Sequence, residues 1–512
     1  MISLKIEKIL NIDKISLVMI FCGILDKNFA RIKDIILIIK VNNSLREDIM
    51  GDYIFTITAV FQIFVFLISS YYAILSLFGL YRKKDKKEFE PQKSFALIVA
   101  AHNEEVVIGK IVESLMDLDY PRHLFDIFVI ADNCNDNTAK IARQHGAKVF
   151  ERFNKDKRGK GYALEWMFDK IFKMEKSYDA VSVFDADNLV SKNFLKEMNN
   201  QMCEGYKVVQ GYLDSKNPDD SWITQSYSVA FWSTNRLFQL ARKNLGLSNQ
   251  IGGTGFVVNT DILRKLGWGA TCLTEDLEFS CKLILNGEKV GWAHDAIVYD
   301  EKPLTLKDSW KQRKRWMQGF ADVASRFWVK LLKKGIKDRD IVAIDCAFYI
   351  AQPFVLLLLT VAGILTFIQI NTSGVNIFIV NYLLDEPLFW KSFSVFQFLL
   401  TPFVLLIERK FSKKLFAMLA LYSTNVFAMK YLIGSKPTLL AAGEAQVAFV
   451  VVFLILTYVF FGKAQFKRFF WYLLYGLYTL TWIPITIQGI KDKDKKEWSH
   501  TKHVRQIGIY DV

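Results

Sequence analysis

From Tyr53 to Tyr81 the chain carries no charged side chain, and Arg82-Lys83-Lys84-Asp85-Lys86-Lys87 follows at once. About 20 apolar residues cross a hydrocarbon core as a helix, and inside that core every backbone polar group must be bonded within the segment. The stretch therefore reads as a transmembrane helix, and the cations behind it put the next domain on the cytoplasmic side. Further apolar stretches come late, at residues 341–370, 388–407, 415–433, 445–461 and 469–487, before a basic tail at 491–496. If domain and tail are both cytoplasmic, the crossings between them are even in number. About four are expected, and one of the five stretches lies in the membrane plane or re-enters. Residues 415–433 carry Asn425 and Lys430, and residues 469–487 are rich in Trp and Tyr and broken by Pro484; either fits that interfacial role.

Composition agrees with a water-soluble domain joined to a membrane part. Hydrophobic residues make up 52% of 512, mean hydropathy is +0.17, and charged residues still make up 23%. The net charge of +14 gathers beside the apolar segments, which fits positive-inside anchoring to a lipid bilayer and an anionic ligand. No RNA-recognition signature or zinc-finger spacing is present, so nucleic acid is not an expected partner. Six cysteines form no C-x-x-C pair and read as reduced thiols. Residues 1–49 hold one short apolar run, and Met50 directly precedes the first membrane segment, so Met50 is an alternative start.

Between the membrane parts, residues 90–305 alternate short apolar strands with amphipathic helices: Phe95–Ala100 strand, Val107–Leu118 helix, Phe125–Ala131 strand, Thr138–His145 helix. This predicts an α/β domain on a mostly parallel sheet, with ligands off the carboxyl ends of the strands. The polar motifs stand at those ends. Glu104 and Asp132 each follow a strand, where a carboxylate can accept from a nucleotide; the structural alternative is an Asx turn, strongest at Asn135–Thr138. Asp185-Ala186-Asp187 closes another strand and suits a divalent cation, Mg²⁺ or Mn²⁺, bridging a diphosphate.

Thr274-Glu275-Asp276 opens a helix, where Thr274 can cap and acids favour the dipole; chemically, Asp276 is a candidate general base. Gly252-Gly253-Thr254-Gly255 is a side-chain-poor loop that would let backbone approach a ligand. Lys311-Gln312-Arg313-Lys314-Arg315-Trp316 offers guanidinium groups for phosphate and an indole for a sugar face, or simply a basic face toward anionic lipid. Residues 306–335 are expected as amphipathic interface helices, 341–488 as the membrane region and 489–512 as a cytosolic tail.

Taken together, Asp132, Asp185/Asp187, Thr274-Glu275-Asp276 and Gln312-x-x-Arg315-Trp316, flanked by membrane helices, resemble the processive membrane-bound family-2 glycosyltransferases, the group of cellulose, hyaluronan, chitin and poly-N-acetylglucosamine synthases. The resemblance covers about residues 53–500 and implies a GT-A-type nucleotide-sugar transferase domain beside an α-helical transmembrane bundle. It implies Glu104, Asp132, Lys160, Asp185, Gln312, Arg315 and Trp316 on a UDP-sugar, Asp187 on the metal, Asp276 with Glu275 in catalysis, and Gly255 and Trp316 on the growing polysaccharide acceptor. Two departures stand out. Ala131-Asp132 replaces a double aspartate, and no cyclic-dinucleotide domain follows the membrane region. Trp498–Lys502 faintly resembles a gating-loop motif.

The implied activity is inverting polymerisation of a UDP-sugar, glucose or N-acetylglucosamine, with extrusion of a β-linked chain at the plasma membrane, alone or with accessory export subunits. The alternatives are a single-transfer glycosyltransferase acting on a lipid carrier or glycolipid, and a non-catalytic export or scaffold protein.

Overall fold

The computed structural model describes residues 49–83, 87–269, 272–371, 387–427, 439–495, 503 and 505–512. The N-terminal segment up to residue 48 and the motif Trp498–Lys502 lie outside the described residues. The chain divides into two units, residues 1–67 with 362–383, and residues 68–361 with 384–512. The described part of the first unit is apolar helix, residues 49–67 and 362–371.

In the second unit an eight-stranded sheet runs β3-β2-β1-β4-β7-β6-β8-β5. The strands are β1 Phe95–Ala101, β2 Phe125–Asp132, β3 Lys148–Arg152, β4 Ala180–Asp185, β5 Leu189–Val190, β6 Val208–Ser215, β7 Phe256–Asn259 and β8 Val290–Asp300. Strands β1, β2, β3 and β4 pair in parallel, as do β6 and β8, while β7 runs against both β4 and β6 and β5 runs against β8. The sheet is thus mixed, with parallel pairings in the majority. Reversal of β7 leaves β6 and β8 running in the same direction as β4. The carboxyl ends of β1, β2, β4, β6 and β8 therefore share one edge with the loop that enters β7.

Both faces of the sheet are dry along β1, β2 and β4, which is why these strands read as apolar runs, while the edge strand β3 is partly exposed. Phe95, Leu97 and Val99 pack with the helices Ile108–Met116 and Phe194–Cys203, while Ala96 and Ile98 face the helices Lys160–Ile171 and Glu275–Leu285. Each buried aliphatic side chain of this kind stabilises by about 1.5–3 kcal/mol. One residue of slip would exchange the two faces, so the register Phe95↔Phe125 is strongly specified.

The helix Leu306–Lys337 begins with Thr305, whose hydroxyl accepts from Asp308 N, and carries the Gln312–Trp316 motif. Glycines let its neighbours close in. A Cβ on Gly319 would stand 2.2 Å from Thr274 Oγ1, and one on Gly489 would stand 2.4 Å from Met317 Cβ. These contacts lay the helix against the start of Glu275–Leu285 on one side and Trp482–Lys491 on another.

The first apolar helix is Ile49–Leu77. Its exit is gripped by Arg236, which donates to Gly79 O and Leu80 O and pairs with Glu408 at 2.7 Å. Arg242 forms a buried fork with Asp345 at 2.8 and 2.9 Å. Among the described residues two helices are long and apolar enough to cross a membrane, within Thr56–Leu77 and Gly443–Lys491, and a third counts if the pair Ile341–Ile350 and Gln352–Thr366, bent by 63°, is one span. The bend interrupts the apolar stretch at 341–370. A non-helical Gly462 (φ 78°) separates the stretches at 445–461 and 469–487. Residues 388–407 lie in the helix Pro387–Ile407, whose apolar part Lys391–Ile407 is shorter than these spans.

Candidate functional site

The shared strand edge collects the polar motifs. Asp132 ends β2 and is buried, with Arg152 of the neighbouring strand 2.5 Å from Oδ1. The Asx turn expected after it forms on Asp136, whose Oδ1 accepts from Thr138 N at 3.0 Å and Thr138 Oγ1 at 2.6 Å. Glu104, just past β1, is buried and meets His503 Nδ1 at 2.9 Å.

The two aspartates of Asp185-Ala186-Asp187 do not share one strand face as alternation predicts, because β4 ends at Asp185 and Asp187 lies in the turn beyond it. Their surroundings differ accordingly. The Asp185 side chain is 41% exposed and takes Lys160 Nζ, whereas that of Asp187 is 6% exposed. Asp187 Oδ2 accepts from Glu301 N at 2.9 Å and lies 4.0 Å from His503 Nε2, and Lys216 Nζ donates to the Asp187 carbonyl at 2.8 Å. Burial would raise the Asp187 carboxyl, but His503, Lys216 and the Glu301 N–H outweigh it and hold the group below its usual range. Burial would lower His503, but Asp187, Glu104 and Glu301 carry it up to about 10, so it stands as an imidazolium. Asp300, ending β8, is pushed up to about 6 by burial, against the pull of Lys302 at 2.5 Å and with Asp187 and Asp185 adding to the rise.

Lys160 joins the two halves of the site. It is the first residue of its helix, after Gly159 at φ 115°, and its Nζ reaches both Asp185 and Gly253 O, the latter at 2.7 Å. Gly253 adopts φ 81°, and a Cβ there would stand 3.3 Å from Asp276 Oδ2, so only glycine lets the loop pass beneath that carboxylate without crowding it. Gly255, expected at an acceptor, is instead buried: its N–H donates to Val183 O and its carbonyl accepts from Gly211 N, and it braces the sheet. The exposed backbone belongs to Gly252 and Gly253.

Thr274 does not cap its helix through its side chain; it packs on Gly319 instead. Glu275 and Asp276 follow, each partly open to the cleft. Burial foremost pushes the Glu275 carboxyl above its usual range, and the neighbouring Asp276 adds to the rise; burial likewise pushes Asp276 up, against Lys160 and with Asp185. Both groups can therefore take up a proton nearer neutrality than a solvated carboxylate can.

Within the Gln312–Trp316 motif the side chains part. Arg313 is fully buried, its guanidinium 4.1 Å from the Tyr478 ring centroid and 2.8 Å from Thr481 Oγ1. Lys314 pairs with Asp492. Gln312 Oε1 accepts from Tyr227 OH. Among the described residues Arg315 makes no hydrogen bond or ion pair, and its charge bears on Glu275 and Tyr227. Trp316 closes an aromatic group with Tyr227 at 5.9 Å, Phe231 at 6.1 Å and Trp482 at 6.5 Å. Lys302 sits 3.4 Å over Phe231, between this group and Asp300.

Arg152, Lys216, Tyr227, Asp300, Glu301, Lys302 and His503 thus belong to the site although no motif marked them. Only Asp300-Glu301, acids at a strand end, carried a signal in the sequence. Among the described residues no three His, Cys, Asp or Glu side chains are grouped to hold a metal. Asp185 and Asp187 alone suit Mg²⁺ or Mn²⁺, which keep few protein carboxylates and complete their shell with phosphate and water.

Residues 91–319 match the family described as "Glycosyltransferase like family 2". The chain is 28% identical over 344 residues to a beta-monoglucosyldiacylglycerol synthase of Nostoc sp., covering 63% of this chain and 70% of that protein. It is 25% identical over 298 residues to a poly-beta-1,6-N-acetyl-D-glucosamine synthase of Staphylococcus epidermidis, covering 55% and 69%. Across these and other curated relatives the chain spans between 48% and 70% of their length. A mannosyltransferase from Pyrobaculum calidifontis, solved with GDP-Man and Mn²⁺, is similar at 18% identity and a TM-score of 0.47, over 62% of this chain and 88% of that one.

Proposed function

We propose that this chain, whose residues 91–319 form a family-2 glycosyltransferase domain, is a membrane-bound inverting hexosyltransferase that builds a β-linked polysaccharide from a UDP-sugar. The observation that carries this is the chain of contact Asp185–Lys160–Gly253–Asp276, which puts a phosphate-seeking cation and a candidate base on two sides of one glycine turn. Asp132 takes the base of the nucleotide, and Lys160 and Arg315 take the diphosphate. A divalent ion held by Asp185 and Asp187 would offset charge on that diphosphate.

Asp276 accepts the proton of the acceptor hydroxyl as its oxygen attacks the anomeric carbon; the bond from that carbon to the diphosphate oxygen breaks, and UDP leaves with the electron pair. One displacement inverts the configuration. Lys160 and Arg315 stand where negative charge grows, the place at which fixed cations accelerate most. Raised proton affinity suits Asp276 to the base role near neutral pH.

Polymerisation rather than a single transfer draws on the 25% identity to the Staphylococcus epidermidis poly-beta-1,6-N-acetyl-D-glucosamine synthase and on the half-buried indole of Trp316, an apolar face of the kind on which a sugar ring stacks. The domain faces the cytosol in this reading, and the apolar helices form a multi-pass plasma-membrane region. A second reading, sugar transfer to a diacylglycerol-type lipid, draws on the 28% identity to the Nostoc synthase.

The test is product size from purified full-length chain in nanodiscs with Mg²⁺ and single radiolabelled UDP-sugars. A long polymer, absent with Asp276→Asn, is expected. A product that stops at one hexose on a lipid would overturn processivity, and no transfer from any UDP-sugar would overturn the reading as a whole.

A further inference from the structure

We propose that Arg152 is a positioning residue for the donor's nucleobase, acting through Asp132 and tying the base end of the site to its diphosphate end. Asp132 and Arg152 are register partners on parallel β2 and β3, so their side chains leave the sheet on the same face. Both are buried, at 7% and 5% exposure. Arg152 Nη1 donates to Asp132 Oδ1 at 2.5 Å, and Asn133 Nδ2 donates to the same oxygen at 3.0 Å. Among the described residues Oδ2 accepts nothing. One oxygen is thereby committed inward and the other is left as an acceptor at the strand end.

The second arm of the guanidinium, Nη2, donates to Lys157 O at 2.8 Å, and the Arg152 carbonyl accepts from Asn133 N at 2.7 Å. The loop so pinned runs straight into Lys160, which holds Asp185. A planar fork makes both bonds at once in one fixed geometry, which the single flexible ammonium of a lysine does not hold.

The consequence is base selectivity. A fixed carboxylate acceptor matches the imide N–H of uracil, whereas the ring nitrogen of cytosine at that place is itself an acceptor and is rejected. This rests on the UDP-sugar reading above.

The test is calorimetric binding of UDP and CDP to the full-length chain in detergent, for wild type, Arg152→Met, Arg152→Lys, Asp132→Asn and the double variant Asp132→Asn/Arg152→Met. Loss of a charge-assisted bond predicts UDP binding weaker by about tenfold or more in Arg152→Met, with CDP little changed, so that the preference narrows. Arg152→Lys falls between, and the double variant is no worse than Asp132→Asn. If Arg152→Met does not fold, Arg152→Lys carries the same comparison. An unchanged UDP:CDP ratio in the folded variant, or losses that multiply in the double variant, overturns the inference. Wild-type protein that binds neither nucleotide overturns the donor reading itself, and this inference with it.

Discussion

Arg313 lies with its guanidinium 4.1 Å from the ring of Tyr478, while Arg315, two residues on, makes no bond among the described residues. One basic motif thus supplies a structural cation and a chemical one. A buried cation–π contact contributes about 2 kcal/mol, and Arg313 adds the hydrogen bond to Thr481. Arg313→Ala should lower the melting temperature in detergent by several degrees. Arg315→Ala should melt like wild type while losing transfer, and Lys311→Ala, exposed, should alter neither; equal melting of the Arg313 and Arg315 variants would contradict the assignment.

Asp276→Asn should keep UDP binding and lose transfer by roughly 10²–10⁴-fold, the range for removing a general base. The pH dependence has a definite sign. Burial raises the Asp276 carboxyl, so the base is ionised above its shifted value and protonated below it. Activity should hold at neutral and alkaline pH and fall on the acid side at a pH above that of an ordinary aspartate. A profile flat down to pH 4 would count against Asp276 as the base.

Lys160→Met removes the cation that spans Asp185 and Gly253 O. Loss of a charge-assisted hydrogen bond to diphosphate predicts weaker donor binding by about tenfold or more. Titration with UDP should register the loss, while uridine, which lacks the diphosphate, should bind the variant and wild type alike. An equal loss for uridine would point to a collapsed loop instead.

Chelation should abolish transfer, and either Mg²⁺ or Mn²⁺ should restore it. Paramagnetic Mn²⁺, followed by its free spin signal, should bind the wild type in the presence of UDP and bind Asp187→Asn more weakly. Retained Mn²⁺ uptake in that variant would relocate the ion.

Trp316→Ala leaves Tyr227, Phe231 and Trp482 without their shared partner. Base–donor geometry is untouched, so shortened polymer, rather than loss of UDP binding, is the expected outcome by gel filtration of labelled product.

Strands β1 and β2 were legible because they are buried on both faces: Phe95–Ala101 and Phe125–Asp132 lie within a residue of their apolar runs, whereas β3, partly exposed at the sheet edge, gave no such run. The places of Asp185 and Asp276 at a strand end and a helix start were legible because an apolar strand and a helix with acids in its first turn announce their own limits. Gly255 was misread, since a glycine loop says that backbone comes close but not what it comes close to; Val298, not a ligand, fills the space. His503 was unreadable, because it reaches Glu104 from 399 positions away in sequence.

Local pattern alone determined the charge-free first helix, the alternation of strand and helix, and the places at which acids and the basic motif occur, because hydrophobic period and turn chemistry act over a few residues. Only the tertiary structure decided which arginine of Gln312–Trp316 is buried, that Asp187 is enclosed while Asp185 is open, and that Arg152 and His503 join the site. Those outcomes depend on distant surfaces meeting at a few ångströms, and burial and Coulomb energy are properties of that meeting rather than of either stretch of chain.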